Sequence, residues 1–229
     1  METKKYIFCA LDFSDLELTL NFAKKIKDHV GGIKLGLEFF TKNGPVGVEK
    51  LKKIGLPIFL DLKLHDIPNT VKRSFKNVLD LSPSYVTVHL SGGLNMLEEV
   101  IDIKKKTKII GVSMLTNLDD YDLKRIGFSC GHKKFIENLV KIGVKAGVDG
   151  IVSSPKEVQY LKNKYRDLIF ITPGIRLSKD KKNDQKRIES PRFAVNAGSN
   201  ILVIGRPITK SKNPLNAIQR IIENIEYGR

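Results

Sequence analysis

Short apolar runs of strand length alternate with longer segments whose apolar positions recur every three or four residues, and the alternation holds along the whole chain. The run Tyr6-Ile7-Phe8-Cys9-Ala10-Leu11 predicts a first strand, with Asp12 just beyond it. Leu16, Leu18, Leu20, Phe22, Ala23 and Ile26 then supply the buried face of a helix over about 15–30. A short second strand over 32–36 contains a lone lysine, Lys34. A helix over about 45–54 opens on a proline, which suits a first helical turn. The third strand, over 57–62, runs into Lys63. Asp66 reads as the N-cap of the next helix, which reaches about Leu81 and stops at Ser82-Pro83.

The second half repeats the rhythm. Strands are expected over 85–89, 108–114, 150–152, 168–172 and 201–204, with helices to about 105, over 132–146, from Ser154 to 164, near 192–197 and over 213–227. A polar excursion follows Leu115-Thr116-Asn117, and a charged stretch follows Arg176. Eight strands alternating with eight helices predict an α/β fold, a single (β/α)8 TIM barrel over residues 1–229. In such barrels the active site is built from the loops after the strands. The residues out of place in an apolar strand pattern fall there: Asp12, Lys34, Asp61, Lys63, Asp66, Thr116, Arg176 and Gly205-Arg206.

The most informative stretch is Phe59-Leu60-Asp61-Leu62-Lys63-Leu64-His65-Asp66-Ile67-Pro68-Asn69-Thr70. Strand alternation puts Asp61 and Lys63 on one face and Leu60, Leu62 and Leu64 on the other. Charges on the inner face of such a strand are costly to desolvate. Asp61-x-Lys63 alone reads more readily as a salt-bridged strand end. Asp66 three residues later, followed by Ile67-Pro68-Asn69-Thr70, tips the reading toward a site.

The net charge of +15 raises the question of a nucleic-acid partner. The basic residues are spread over nearly every helix, as in Lys24-Lys25-Lys27 and Lys104-Lys105-Lys106, and no nucleic-acid motif accompanies them. A lysine-rich surface that attracts small anionic substrates is the expectation, with no nucleic acid and no membrane as partners. No run approaches the roughly 18 apolar residues of a membrane span. No signal peptide is visible in the short polar start, and two cysteines are not expected to make a disulfide framework, so a cytoplasmic protein is expected. Four scattered histidines without a cysteine cluster suggest no metal. His89 reads as a core or supporting histidine, and His65 as part of the turn.

Phe59-x-Asp61-x-Lys63-x-x-Asp66-Ile67-Pro68-x-Thr70 closely resembles the signature of the orotidine 5′-phosphate decarboxylase family, and the resemblance extends over the whole chain. It implies cofactor-independent decarboxylation of orotidine 5′-phosphate to uridine 5′-phosphate, the last step of de novo pyrimidine nucleotide synthesis. It implies a catalytic array of Lys34, Asp61, Lys63 and Asp66, with Lys63 as proton donor. Asp66 and Thr70 would come from the partner subunit of a homodimer with shared active sites. Asp12 matches a ribose-binding aspartate and Thr116 a residue that contacts the pyrimidine. Thr172-Pro173-Gly174-Ile175-Arg176 and Asp184-Gln185-x-Arg187 match a phosphate-closing loop, which makes Pro173, Arg176 and Gln185 substrate-binding. Gly205-Arg206-x-Ile208-Thr209 matches the phosphate-binding turn. The chain departs from the family pattern in its lysine-rich segment before Gln185 and in Asn117, where serine is more usual. The Asp-x-Lys-x-x-Asp core alone also resembles a magnesium-dependent sugar-phosphate decarboxylase that acts on 3-keto-gulonate 6-phosphate.

Overall fold

The computed structural model describes residues 3–177 and 189–228. Its centre is a closed parallel barrel of β1 (Ile7–Ala10), β2 (Gly32–Leu35), β3 (Ile58–Leu64), β4 (Tyr85–His89), β5 (Lys108–Val112), β6 (Gly150–Val152), β7 (Ile169–Thr172) and β8 (Ile201–Ile204). Each strand pairs with the next, and β8 closes on β1 with Phe8 opposite Val203. Around it lie α1 (Leu16–Ile26), α2 (Leu37–Lys52), α3 (Pro68–Asp80), α4 (Gly93–Ile101), α5 (Asp120–Arg125), α6 (His132–Ala146), α7 (Pro155–Lys164), α8 (Pro191–Ala197), α9 (Arg206–Thr209) and α10 (Pro214–Tyr227). The barrel expected from the alternating pattern is the fold observed.

Two apolar layers hold it together. The larger lies between the strands and the helices and includes Ile7, Cys9, Ile33, Leu35, Leu60, Val86 and Val88 with Phe39 and Phe75 from the helices. The smaller fills the barrel interior with Phe8, Phe59, Ile110, Ile171, Ile201 and Val203, against which Tyr85 packs edge-on through Phe8 and Phe59. Alternation along each strand sends successive residues to these two layers. Cys9 belongs to the outer layer and is fully buried. No helix of the described residues is long and apolar enough to cross a membrane.

Several elements differ from the sequence expectation. Helix α2 begins at Leu37, ahead of the expected start at Pro45, and is interrupted at Gly44, whose φ of 54° is non-helical. A second helical segment therefore starts at Pro45 as expected, and the segment over 37–43 precedes it across the kink at Gly44. Asp66 is not the N-cap of α3: Ile67 holds that position in extended conformation (φ −61°, ψ 152°) because Pro68 follows it at the first helical position. Asp66 instead accepts the Ile67 N–H at 2.7 Å. The polar excursion after Asn117 contains α5, closed by a capping box between Asp119 and Asp122. The turn after β8 forms the short α9.

Strand β3 departs most from regular alternation. Leu60 pairs with Val86 and Leu64 with Val88, so Asp61, Leu62 and Lys63 stand opposite the single residue Thr87. Lys63 absorbs the mismatch with a φ of 51°, a backbone region a lysine seldom occupies.

Candidate active site

The charged residues that the strands project inward meet at the carboxyl end of the barrel. Lys34, above Gly32 on β2, is buried; its Nζ lies 3.1 Å from Asp12 Oδ1 and 3.4 Å from Asp61 Oδ2. Lys63 Nζ lies 2.8 Å from Asp61 Oδ1. Asp61 thus has one oxygen toward each ammonium, and the Thr87 hydroxyl donates to Oδ1 at 3.1 Å. Gly36 makes the crowding possible: a Cβ there would come within 2.8 Å of both Asp12 Oδ1 and Lys34 Nζ.

The electrostatics favour full ionisation. Burial alone would push the Asp61 carboxyl up, but Lys34 and Lys63 outweigh it and hold the group below its ordinary value. Burial would likewise lower the Lys34 ammonium, yet Asp61 and Asp12 raise it. On β4, His89 stacks beside His65 with ring centroids 5.2 Å apart. Burial, then the neighbouring His65 and Lys63, holds His89 below the usual imidazole range, so it is neutral at pH 7.

Asp12, Lys34, Asp61 and Lys63 open onto a cavity of about 680 Å³. Its charged wall comes from β1 to β3 (Asp12, Lys34, Asp61, Lys63). Its floor is apolar, formed by Ala10, Phe59, Val112, Val152, Ile171 and Val203. Opposite the charged wall stand Pro173, Gly174 and Arg176 after β7 and Gly205 and Arg206 after β8, with Thr116 and Asn117 between. Arg176 is buried, with Nη1 donating to the Ile175 carbonyl at 2.7 Å, and its backbone N–H donates to Glu189. Gly174 adopts a φ of 77°, which a side chain would oppose. Loops after the seventh and eighth strands are the recurring phosphate position in this fold. The geometry is therefore suited to a ligand that is anionic at one end and apolar in the middle, with its other end against the lysine–aspartate cluster.

The family model described as orotidine 5′-phosphate decarboxylase / HUMPS family matches residues 5–221. The chain belongs to this family. A protein of Sphingopyxis alaskensis named orotidine 5′-phosphate decarboxylase is 45% identical over 216 residues, covering 94% of this chain and 96% of that protein. One of the same name from Wolbachia pipientis is 43% identical over 222 residues, covering 96% and 98%. Among solved structures, orotidine 5′-phosphate decarboxylase from Lactobacillus acidophilus superposes with a TM-score of 0.80 at 32% identity, covering 96% of this chain and 98% of that one. An uncharacterized conserved protein from Geobacillus kaustophilus gives a TM-score of 0.83 at 28% identity, covering 96% and 99%.

Set against the family signature, Asp12, Lys34, Asp61, Lys63, Thr116, Pro173, Arg176, Gly205 and Arg206 all line the one cavity. Asp66 and Thr70 do not; both are exposed, Asp66 just before the exposed Ile67 that caps α3 and Thr70 within the first turn of that helix. Gln185, Asp184 and Arg187 lie outside the described residues. Sequence reasoning did not single out Thr87 or assign a steric role to Gly36. The signal for Gly36 was present in Lys34-Leu35-Gly36, since a glycine two residues beyond a buried lysine is where its head group needs room. Thr87 gave none, because threonine is an ordinary strand residue. Among the described residues no group of three or more His, Cys, Asp or Glu side chains could hold a metal ion.

Proposed function

We propose that this protein decarboxylates orotidine 5′-phosphate to uridine 5′-phosphate without metal or organic cofactor, the last step of de novo pyrimidine nucleotide synthesis. The observation that carries the reading is the Lys34–Asp61–Lys63 array facing an apolar floor, with two arginines on the far wall. Breaking the bond between C6 and the carboxylate leaves an electron pair on C6, in the plane of the ring, where no ring carbonyl delocalises it. Fixed positive charge aimed at that carbon is the stabilisation available to a protein. Lys63 supplies it and then gives C6 a proton, so that substrate plus one proton yields product plus carbon dioxide. Asp61 faces the departing carboxylate, and Lys34 keeps Asp61 ionised and in place. Asp12 takes the ribose, Thr116 the pyrimidine, and Pro173, Arg176, Gln185, Gly205 and Arg206 the phosphate. Arginine's planar fork suits that group.

The position of Lys34 supports the cofactor-free reading over the magnesium-dependent sugar-phosphate reaction. Its ammonium stands between Asp12 and Asp61, where a divalent cation shared by the two carboxylates would have to sit. Asp66 and Thr70 complete the site across a homodimer, a reading supported by their exposure next to the exposed Ile67. The anionic substrate accounts for the value of a basic surface without nucleic acid or membrane partners. A cytoplasmic location fits the two free cysteines, Cys9 and Cys130.

The test follows orotidylate absorbance with the pure protein, with and without EDTA. Equal rates are expected in both. Activity lost to EDTA and restored by magnesium would overturn the cofactor-free assignment.

A further inference from the structure

Thr87 sits fully buried on β4, directly opposite the irregular part of β3. Its Oγ1 accepts the backbone N–H of Lys63 at 2.8 Å and donates to Asp61 Oδ1 at 3.1 Å. The directions follow from chemistry: an amide N–H only donates, and an ionised carboxylate only accepts. The single hydroxyl proton is therefore committed to Asp61 and a lone pair to Lys63. The amide of Lys63 needs such a partner because the ladder beside it is displaced and its φ of 51° is strained.

We infer that Thr87 is a positioning residue for the decarboxylation: one hydroxyl sets both the backbone that aims Lys63 and the orientation of Asp61. The inference rests on the roles given above to Lys63 and Asp61. A purely structural threonine would fill volume on the strand, and valine would replace it. Here valine keeps the volume and loses both bonds, while serine keeps both.

The experiment compares wild type, Thr87→Ser and Thr87→Val in orotidylate turnover, KM and affinity for uridine 5′-phosphate. A hydrogen bond to a charged group corresponds to about 10–100-fold in rate, so Thr87→Val is expected to lose that much kcat. KM and product affinity should stay within about threefold of wild type, and Thr87→Ser should keep kcat within the same range. Thr87→Ala gives the same pattern if Thr87→Val folds poorly. Wild-type kcat in Thr87→Val, or equal losses in the serine and valine variants, would overturn the inference. A second readout does not depend on turnover: the Asp61 carboxyl titration by carbon NMR. Lys34, Lys63 and His89 face Asp61 in every variant, so the difference between valine and serine isolates the hydroxyl. The titration should move up in the valine variant and stay in the serine variant. An inactive wild type with this shift would remove the functional reading but retain the geometric role. No shift would remove the role itself.

Discussion

Lys34 Nζ lies 3.4 Å from Asp61 Oδ2 across a ladder in which Lys34 itself pairs with Phe59. Asp61 is two positions beyond Phe59 on the same inward face, so the ion pair spans successive layers of the barrel. Phe59 seals the layer below, and the pair marks where the barrel interior changes from apolar to charged. Each of the two ionised forms is held by the other.

That mutual dependence has a pH signature. Asp61 is depressed from 3.8, so its contribution to stability is complete above that unfolded value and is lost as pH falls through the lower folded one. Lys34 is raised from 10.5, so its contribution is complete below 10.5 and is lost as pH rises through the higher folded value. Asp61→Asn mimics the protonated carboxyl. Thermal melts should show wild type more stable than Asp61→Asn at neutral pH, with the gap closing below about pH 4. A gap that widens on acidification would contradict the assignment.

Gly36→Ala tests the crowding of the cluster. The added methyl meets only the tips of Asp12 and Lys34, flexible ends that can move aside. Melting temperature should change little. Displacement of reactive groups by about 1 Å can cost roughly 10²-fold, and turnover should fall on that order. Unchanged turnover, measured alongside the melt, would mean the Lys34–Asp12 contact is dispensable.

How much of this was legible beforehand depends on the kind of signal. Gly150–Val152, Ile201–Ile204 and His132–Ala146 matched their expected bounds because apolar runs and helical periodicity report burial directly. The charges at the mouth stood out because Asp61 and Lys63 interrupt such a run. The bulge in β3 was not legible, since alternation assumes a regular ladder and Lys63 at positive φ is fixed by tertiary contact with β4. The first segment of α2, over 37–43, was hidden by Gly44-Pro45, which read as a helix start.

Arg206 and the phosphate give a third prediction. Arg206→Ala should impair orotidine 5′-phosphate far more than the bare nucleoside orotidine, since Arg206 lines the cavity after β8, opposite the wall formed by Lys34, Asp61 and Lys63. Loss of a charge-assisted contact is worth about 1.5–3 kcal/mol, or roughly 10–100-fold in kcat/KM for the phosphorylated substrate. Parallel kinetics on the two substrates check this. Equal losses would mean Arg206 does not hold phosphate.

The proposed sharing of Asp66 and Thr70, both exposed, across a homodimer predicts complementation between subunits. In the isologous homodimer proposed above, each protomer would lend Asp66 and borrow its partner's copy. Lys63→Ala and Asp66→Ala, inactive separately, should regain activity when mixed and allowed to exchange, because one site of each heterodimer receives neither defect. A mixture that exchanges by native mass spectrometry yet stays inactive would confine Asp66 to its own subunit.

The most direct test of the central claim is turnover of Lys63→Ala on orotidine 5′-phosphate, read together with its affinity for uridine 5′-phosphate. Lys63 is assigned to the charge that develops after the substrate is bound, so removing it should leave product affinity and the fold nearly intact. Proton donors contribute about 10²–10⁴-fold and charge stabilisation adds to that, so turnover should fall by more than about 10³-fold. A folded Lys63→Ala protein that keeps a tenth of wild-type turnover would contradict the account.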